Sequence, residues 1–320
     1  MLIALLFACF SEPEAPTPDA PAGDALRVGW QTTWATQGQI AVILQRTDIL
    51  ARKGFAATFT GFTYGGPLNE GALAGEVDVL FTADQPALSL FAKDPGWGAV
   101  ARLMYNRVGL FVPPGSPAKT VADLRGATIA VPFGAAAHRE TIEALRGAGL
   151  DPKADVSLTN LGLEEIVALA NTPEMDGRWG GIGAASTWDP AFANLEHGGK
   201  ARTLHVGRVT ALALMDDDYA KAHPGADARF RDAIAEAWTY FREHREEANA
   251  WYLEAAKLEL DPAVLDASAK IEPNYAGEPV RVTLTAEDVA ELQGVADFMH
   301  EAGLLREAAR AEAMLRPSAR

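Results

Sequence analysis

The stretch LRGATIAVPFGAAAHRETIEALRGAGLDP, residues 124–152, decides how the rest of the chain is read. Its TIAVP segment, residues 128–132, is a short apolar run rich in β-branched side chains, which suits a buried strand. Gly134, Ala135 and Ala136 follow, and residues 135–148 then carry apolar side chains at helical spacing until Gly149 ends the run. A strand that turns through small residues directly into a helix is the first half of a βαβ unit, so the stretch predicts a parallel sheet covered by helices. The same turn bears on function. In open α/β sheets, ligands collect at the carboxyl ends of strands. Small side chains let backbone N–H groups approach a ligand closely, and a helix N-terminus favours anionic oxygens.

Toward the N-terminus the alternation recurs. A strand is expected at 26–30, a helix at 38–52, a strand at 55–60, a helix at 67–74 closed by Gly75, a buried strand at 77–81 and a helix at 85–92. The break Pro113-Pro114-Gly115-Ser116 separates this series from a second. That series holds the opening stretch, a strand at 156–161, a helix at 163–170, a Gly-rich strand at 181–185 and a strand at 202–206. Beyond it the chain reads as helical: 226–243, where Phe230, Ile234, Ala237, Trp238 and Phe241 form a stripe expected to be core, then 244–258, then a helix capped by Thr285 with Asp288 three residues on. Two βαβ series followed by helices predict a two-lobed α/β protein. One lobe is expected from residues 24–106 with 208–320 and the other from 107–207, joined by two crossings near 105–112 and 204–212.

A length of 320 residues suits two domains of ordinary size. The formal net charge of −15 argues against a nucleic-acid partner. No run reaches the roughly 20 apolar residues that span a bilayer. A single cysteine, Cys9, excludes an intramolecular disulfide and a cysteine-based zinc site, and the six histidines are scattered, so neither metal nor cofactor is expected. No G-x-S-x-G elbow, H-E-x-x-H or P-loop is present, and GFTYGG at 61–66 lacks the dinucleotide-binding spacing, so no enzyme is expected.

The chain opens with MLIALLFACF, followed by SEPEAPTPDAPAGD at 11–24. The first segment is apolar, and Cys9 after Leu6-Phe7-Ala8 resembles a bacterial lipobox, whose cysteine carries lipid. The second segment is too rich in Pro and acids to build a core. Residues 1–9 are therefore expected to be a signal segment ending in lipidated Cys9, and 10–25 a tether. The lipid would be the only membrane contact of an extracytoplasmic protein.

Five pieces in order carry a resemblance to a family: LRVGWQ at 26–31, NEGALAGEVDVLFTADQPAL at 69–88, the opening stretch at 124–152, TWDPAFA at 187–193 and DDDYAKAHPGADARFRDAIAEAW at 216–238. Together they resemble the periplasmic solute-binding proteins of ABC transporters for aliphatic sulfonates, taurine and nitrate, with related thiamine-precursor binders. The resemblance implies the type II periplasmic-binding-protein fold and a hinge of two crossings. It also implies a monomer that captures a small anion or zwitterion and hands it to an ABC permease and its ATPase. A ligand sensor with a membrane partner, and a same-fold enzyme resembling chorismate dehydratase, are the alternatives. Before TWDPAFA the chain has GRWGGIGAAS at 177–186, where these proteins carry G-x-V-D-A.

The expected ligand loops are the strand-to-helix turns. Gln31, Thr32, Thr33 and Trp34 come from the first, Tyr64 from the second, Asp84 and Gln85 from the third. Gly134, Ala135, Ala136 and His138 come from the fourth, and Trp188 and Asp189 from the fifth. Tryptophan supplies a pocket wall or a cap on the local core, and the amides and hydroxyls supply neutral hydrogen bonds. His138 and Asp189 also fit capping roles. Arg107, Arg139 and Arg208 are the cations nearest to these loops.

Overall fold

The computed structural model describes residues 23–275, 277 and 279–320. Cys9 and nearly all of the expected tether lie outside the described residues. The first βαβ series is β1 (Asp24–Gln31), α1 (Gln37–Arg46), α2 (Ile49–Arg52), β2 (Phe55–Phe62), α3 (Gly65–Leu73), β3 (Val79–Ala83) and α4 (Asp84–Lys93). A long strand, β4 (Trp97–Val112), leads to the second series: β5 (Thr128–Val131), α5 (Ala136–Gly147), β6 (Ser157–Asn160), α6 (Leu163–Ala170), β7 (Ala184–Trp188) and α7 (Ala191–His197). A second long strand, β8 (Arg202–Asp216), returns to α8 (Asp217–Ala222), α9 (Ala226–Glu243), α10 (Arg245–Ala256), α11 (Pro262–Ala269) and α12 (Ala286–Glu301).

The strands form one eight-stranded sheet in the order β2-β1-β3-β8-β4-β7-β5-β6. At one end β1 runs parallel to β2 and β3, and β3 pairs antiparallel with β8. At the other end β5 runs parallel to β6 and β7, and β7 pairs antiparallel with β4. The two halves thus repeat one plan, and β4 and β8 belong to both. They pair with each other from Trp97↔Asp216 to Val112↔Arg202, with irregularities between Ala99 and Ala101, Arg102 and Met104, and Leu110 and Phe111. Such bulges bend and twist a strand. This is the two-lobed α/β architecture, with both crossings made by one antiparallel ribbon.

Helices cover both faces of each half. On one face of the first lobe α1, α9 and α10 pack over the sheet, and the expected stripe Phe230, Ile234, Ala237, Trp238 and Phe241 is fully buried there. Trp238 Nε1 donates to Leu103 O at 2.8 Å, which fixes α9 to β4. On the other face Leu68, Leu88, Trp97, Leu292 and Met299 join α3, α4 and α12. The second lobe has its own two clusters, around Leu110, Ile129 and Leu145 and around Phe111, Trp179 and Phe192. α12 starts as expected: Asp288 N donates to Thr285 Oγ1 at 3.2 Å, and Thr285 N donates to Asp288 Oδ2 at 2.6 Å.

Three expectations are corrected. The helix expected over 38–52 is two helices, because Thr47 turns extended after α1 and its hydroxyl donates to Ile43 O at 2.7 Å. The strand expected at 181–185 is shifted to Ala184–Trp188; Gly177, Gly180 and Gly181 take left-handed φ of 70°, 54° and 94° and hold the preceding residues in tight bridges instead. Trp188 is therefore the last residue of a strand, not part of a loop.

β4 itself was not expected over its full length. It carries a fully buried ion pair: Arg102 Nη1 and Nη2 lie 2.6 and 2.9 Å from the Glu272 carboxylate. Glu272 also accepts from Tyr105 N at 2.7 Å and Asn274 N at 2.9 Å. The segment between α11 and α12 is thereby pinned across the crossing strand.

Candidate functional site

The carboxyl ends of β1 and β3 in one lobe face those of β5 and β7 in the other, and the side chains that meet there come from all four. In the β1 turn most polar groups are engaged in framing. Gln31 Nε2 donates to Phe81 O at 3.3 Å and to Thr82 Oγ1 at 3.5 Å. Thr32 N and Oγ1 donate to Phe62 O at 2.8 and 3.3 Å, and Thr33 Oγ1 donates to Thr63 O at 2.7 Å. Tyr252 of α10 donates to Thr32 O at 3.0 Å. These three residues lock the turn onto neighbouring strand ends. Trp34 then drops into the core, where it is 4 % exposed. Thr36 sits at φ 67°, a costly conformation for a β-branched residue and one that clusters at ligand clamps. Its N–H donates to Gln39 Oε1 at 2.6 Å, and Gln39 in turn donates to Asn249 Oδ1 at 3.1 Å.

From β3, Asp84 opens α4 and is buried. Its Oδ1 accepts from Gln85 N at 2.6 Å. Its Oδ2 accepts from Arg139 Nη2 of the opposite lobe at 3.1 Å, and the two side chains are only 4 % and 6 % exposed. Arg139 Nη1 reaches Glu140 Oε1 at 2.8 Å and Glu143 Oε2 at 3.0 Å. Glu140 packs against the backbone of β8: a Cβ at Gly207 would stand 1.8 Å from Glu140 Oε2, so a side chain there would have to displace the Glu140 carboxyl. Burial pushes Glu140 up to about 7, against the pull of Arg139. Burial raises Asp84 too, again opposed by Arg139. Gln85 adds a second bridge between the lobes, donating from Nε2 to Gly134 O.

The second lobe contributes the turn into α5. Gly134 takes φ 81° and donates its N–H to His138 Nδ1 at 3.5 Å, while the imidazole stacks on Phe133 with centroids 4.6 Å apart. Burial lowers the His138 pKa, which keeps the ring neutral and able to accept. Ala135 is the N-cap of α5. Ala136, Ala137 and Val131 pack against the same apolar cluster as Trp34, and so does Trp188. One buried cluster therefore spans both lobes. Asp189 is fully buried and structural: it accepts from Arg107 Nε at 2.8 Å and Nη2 at 3.2 Å and from Ala193 N at 3.0 Å, bracing the start of α7. Tyr64, 56 % exposed, stays at the surface at the N-cap of α3.

The expected cations are all matched by carboxylates. Arg107 pairs with Asp189 and Glu196, Arg139 with Asp84, Glu140 and Glu143, and Arg208 with Glu287 and Glu291. Several buried polar atoms have no partner: Trp34 Nε1, Thr36 Oγ1, Gln37 Oε1, Asn106 Oδ1, Gln85 Oε1 and Thr187 Oγ1. Buried polar groups are normally satisfied, so these atoms stand out in the region where the lobes meet. Gln37, Asn106 and Glu140 were not singled out from sequence. Gln37 adjoins the expected loop, whereas Asn106 gave only the weak signal of an amide inside an apolar run.

A cavity of about 300 Å³ opens between the lobes, walled by Arg139, Glu140 and Glu143 of one lobe and by Asp84, Arg208, Thr210 and Glu291 of the other. A larger one of about 690 Å³ lies on the second lobe, around Met175, Arg178 and Gly181, away from all four strand ends. Among the described residues no group of acidic, histidine or cysteine side chains is placed to hold a metal ion, and no helix is long and apolar enough to cross a membrane.

No protein-family model matches the chain. It is 29 % identical over 295 residues, 87 % of this chain and 84 % of the relative, to a putative aliphatic sulfonates-binding protein of Escherichia coli K12. The crystal structure of the periplasmic aliphatic sulphonate binding protein SsuA from Escherichia coli superposes with a TM-score of 0.75 at 23 % identity, covering 92 % of each chain. The alkanesulfonate-binding protein SsuA from Xanthomonas axonopodis pv. citri, bound to MOPS, gives 0.72 at 22 % identity, covering 92 % of this chain and 99 % of that one. The fold also carries catalysis: the desulfurization enzyme DSZB superposes at 0.67 with 15 % identity, covering 92 % of this chain and 96 % of its own. The chain is thus similar over most of its length to a putative aliphatic sulfonates-binding protein and has the two-lobed α/β periplasmic-binding-protein fold.

Proposed function

We propose that this protein is the extracytoplasmic solute-binding component of an ABC importer and that it captures a small organic sulfonate between its lobes. The observation that carries this reading is the buried cluster fed by Trp34 from one lobe and Trp188 from the other. Trp34 follows β1 and Trp188 ends β7, so both stand at the carboxyl ends of strands, on the side of the sheet ends where Asp84 meets Arg139. Contacts from both lobes make closure depend on the ligand, because a ligand shifts only an equilibrium whose states it binds unequally. Sulfonate oxygens are met by the indole N–H of Trp34 and the hydroxyl of Thr36, both unpartnered and buried. The homologue's name and the MOPS-bound structure point to the same ligand class.

In this reading the lobes meet where Arg107 pairs with Arg208 in the β4–β8 ribbon. Residues 24–106 with 208–320 move against 107–207, with the hinge inside 105–112 and 204–212. Cys9 carries the lipid that holds the protein at the membrane, and permease and ATPase receive the solute. Gln31, Thr32 and Thr33 shape the pocket through their turn, and Gly134, Ala135, Ala136 and His138 close it from the other side.

A thermal-shift series tests the ligand class, since a ligand raises apparent stability by mass action. Small alkanesulfonates are expected to raise Tm where nitrate and pyrimidines do not; a rise with nitrate or a pyrimidine alone would assign the site to another class. Mass spectrometry of membrane-fraction protein tests the anchor, and an unmodified Cys9 on the exported product would remove it.

A further inference from the structure

We propose that Gln37 and Asn106 select, among small sulfonates, those that carry a hydrogen-bond-donating group at the end away from the sulfur, a primary ammonium above all. This rests on the sulfonate reading and adds to it which sulfonates are preferred.

Two buried amides near the end of β1 have their orientation fixed by backbone carbonyls. Gln37 is fully buried at the first position of α1, and its Nε2 donates to Gln31 O and, at 3.1 Å, to Trp34 O. Asn106 is fully buried in β4, and its Nδ2 donates to Ala35 O at 3.3 Å. Turning either amide over would press its oxygen against those carbonyl oxygens and forfeit the bonds, so the orientation is set by the backbone. What each amide has left is therefore an acceptor, Gln37 Oε1 and Asn106 Oδ1, and neither has a donor. The carbonyls that hold them belong to adjacent residues, Trp34 and Ala35, so both amides converge on one turn at the end of β1.

A sulfonate oxygen brought to these two atoms would set acceptor against acceptor. An ammonium supplies three donors to a small group of acceptors and is the complementary partner. The local charge agrees. Arg107, Arg139 and Arg208 are already matched by carboxylates, so no uncompensated guanidinium repels a cation there. The Trp34 and Trp188 rings, in one apolar cluster, give a surface to which a cation is attracted. The strict donor of the same turn, Trp34 Nε1, is left for the anionic end.

Calorimetry with a matched pair of probes tests this. Taurine, 2-aminoethanesulfonate, and 1-propanesulfonate share shape and sulfonate and differ in an ammonium against a methyl group. Taurine is expected to bind at least tenfold more tightly, since a site built to pair with a polar group discriminates strongly against the analogue that lacks it. Equal binding, or tighter binding of 1-propanesulfonate, overturns the inference and leaves the sulfonate reading standing. Binding of neither probe contradicts the sulfonate reading and takes the inference with it. In Gln37→Met and Asn106→Leu, checked for folding by circular dichroism, the taurine preference is expected to fall to within about threefold of unity. A tenfold preference retained in both folded variants would show that other residues select the ammonium. Should either variant fail to fold, the comparison in the unaltered protein still decides between the outcomes.

Discussion

Replacing Arg139 with methionine removes a cation that joins the lobes through buried groups, and its effect follows from where the freed charges are left. Arg139 bridges Asp84 of the opposite lobe at 3.1 Å and Glu140 and Glu143 of its own helix at 2.8 and 3.0 Å. Methionine keeps most of the side-chain volume and none of the charge. Asp84 and Glu140 are then buried carboxylates with no counter-ion between two lobes. Breaking a buried pair by removing one partner costs about 3–5 kcal/mol, because the remaining charge is uncompensated. Opening the lobes returns both carboxylates to water, so the penalty falls on the closed arrangement and is withdrawn from ligand binding. Proton uptake by the carboxylates relieves part of it, which puts the expected loss near the low end, about 3 kcal/mol or roughly 150-fold in affinity at pH 7. Asp84→Asn leaves Arg139 with Glu140 and Glu143, and its cost is about 1 kcal/mol. Calorimetry with taurine reads the affinity, and small-angle scattering reads the radius of gyration with and without taurine. Arg139→Met is expected to stay expanded at ligand concentrations that compact the unaltered protein. Affinity within twofold of the unaltered protein, with the same compaction, would refute the idea that this pair holds the closed form.

Glu140, pushed up by burial to about 7 from an ordinary 4.5, holds a proton in the folded protein between those pH values that the unfolded chain has released. Stability therefore falls as pH rises through that window and levels off above it, by about 3 kcal/mol in all; Glu140→Gln is expected to flatten the fall in Tm, and an unchanged slope would place the titration elsewhere. Trp188→Ala removes one aromatic wall and is expected to cost about 2 kcal/mol of binding, while Trp34→Phe, which keeps the buried ring and loses the indole N–H, costs about 1 kcal/mol. If both bind taurine like the unaltered protein, the cleft lies elsewhere. Arg102→Met strands the fully buried Glu272 carboxylate on the crossing strand, and urea denaturation is expected to show a loss of about 3–5 kcal/mol; a loss under 1 kcal/mol would mean that water reaches the pair.

The parts of the fold legible in the sequence are those whose local pattern and tertiary role agree. Residues 128–147 form a strand, a small-residue turn and a helix because each step follows its own periodicity. α12 begins at Thr285 because the capping pair is written into four residues. β4 was not legible at its full length. Nearly all of it is buried on both faces, so it has no alternation, and Arg102, Asn106 and Arg107 interrupt its apolar run. Those three are tolerated because each finds a partner far along the chain: Glu272, the Ala35 carbonyl and Asp189. The site divides the same way. Its expected loops were legible because strand-to-helix turns announce themselves in the local pattern. The roles within the loops were not, because they depend on pairing. Asp84 is engaged by Arg139, and Asp189 braces α7, the capping alternative, rather than facing a ligand. Gln37 and Asn106 are recognisable only once the backbone shows which ends of their amides are spent.

The central claim is that both lobes grip one sulfonate, and a crystal structure of the protein grown with taurine tests it most directly. The expected result is a single taurine between Trp34 and Trp188, touched by side chains from both lobes, with its ammonium at Gln37 Oε1 and Asn106 Oδ1. Taurine held by one lobe alone, or seated in the cavity beside Met175 and Gly181, would contradict it.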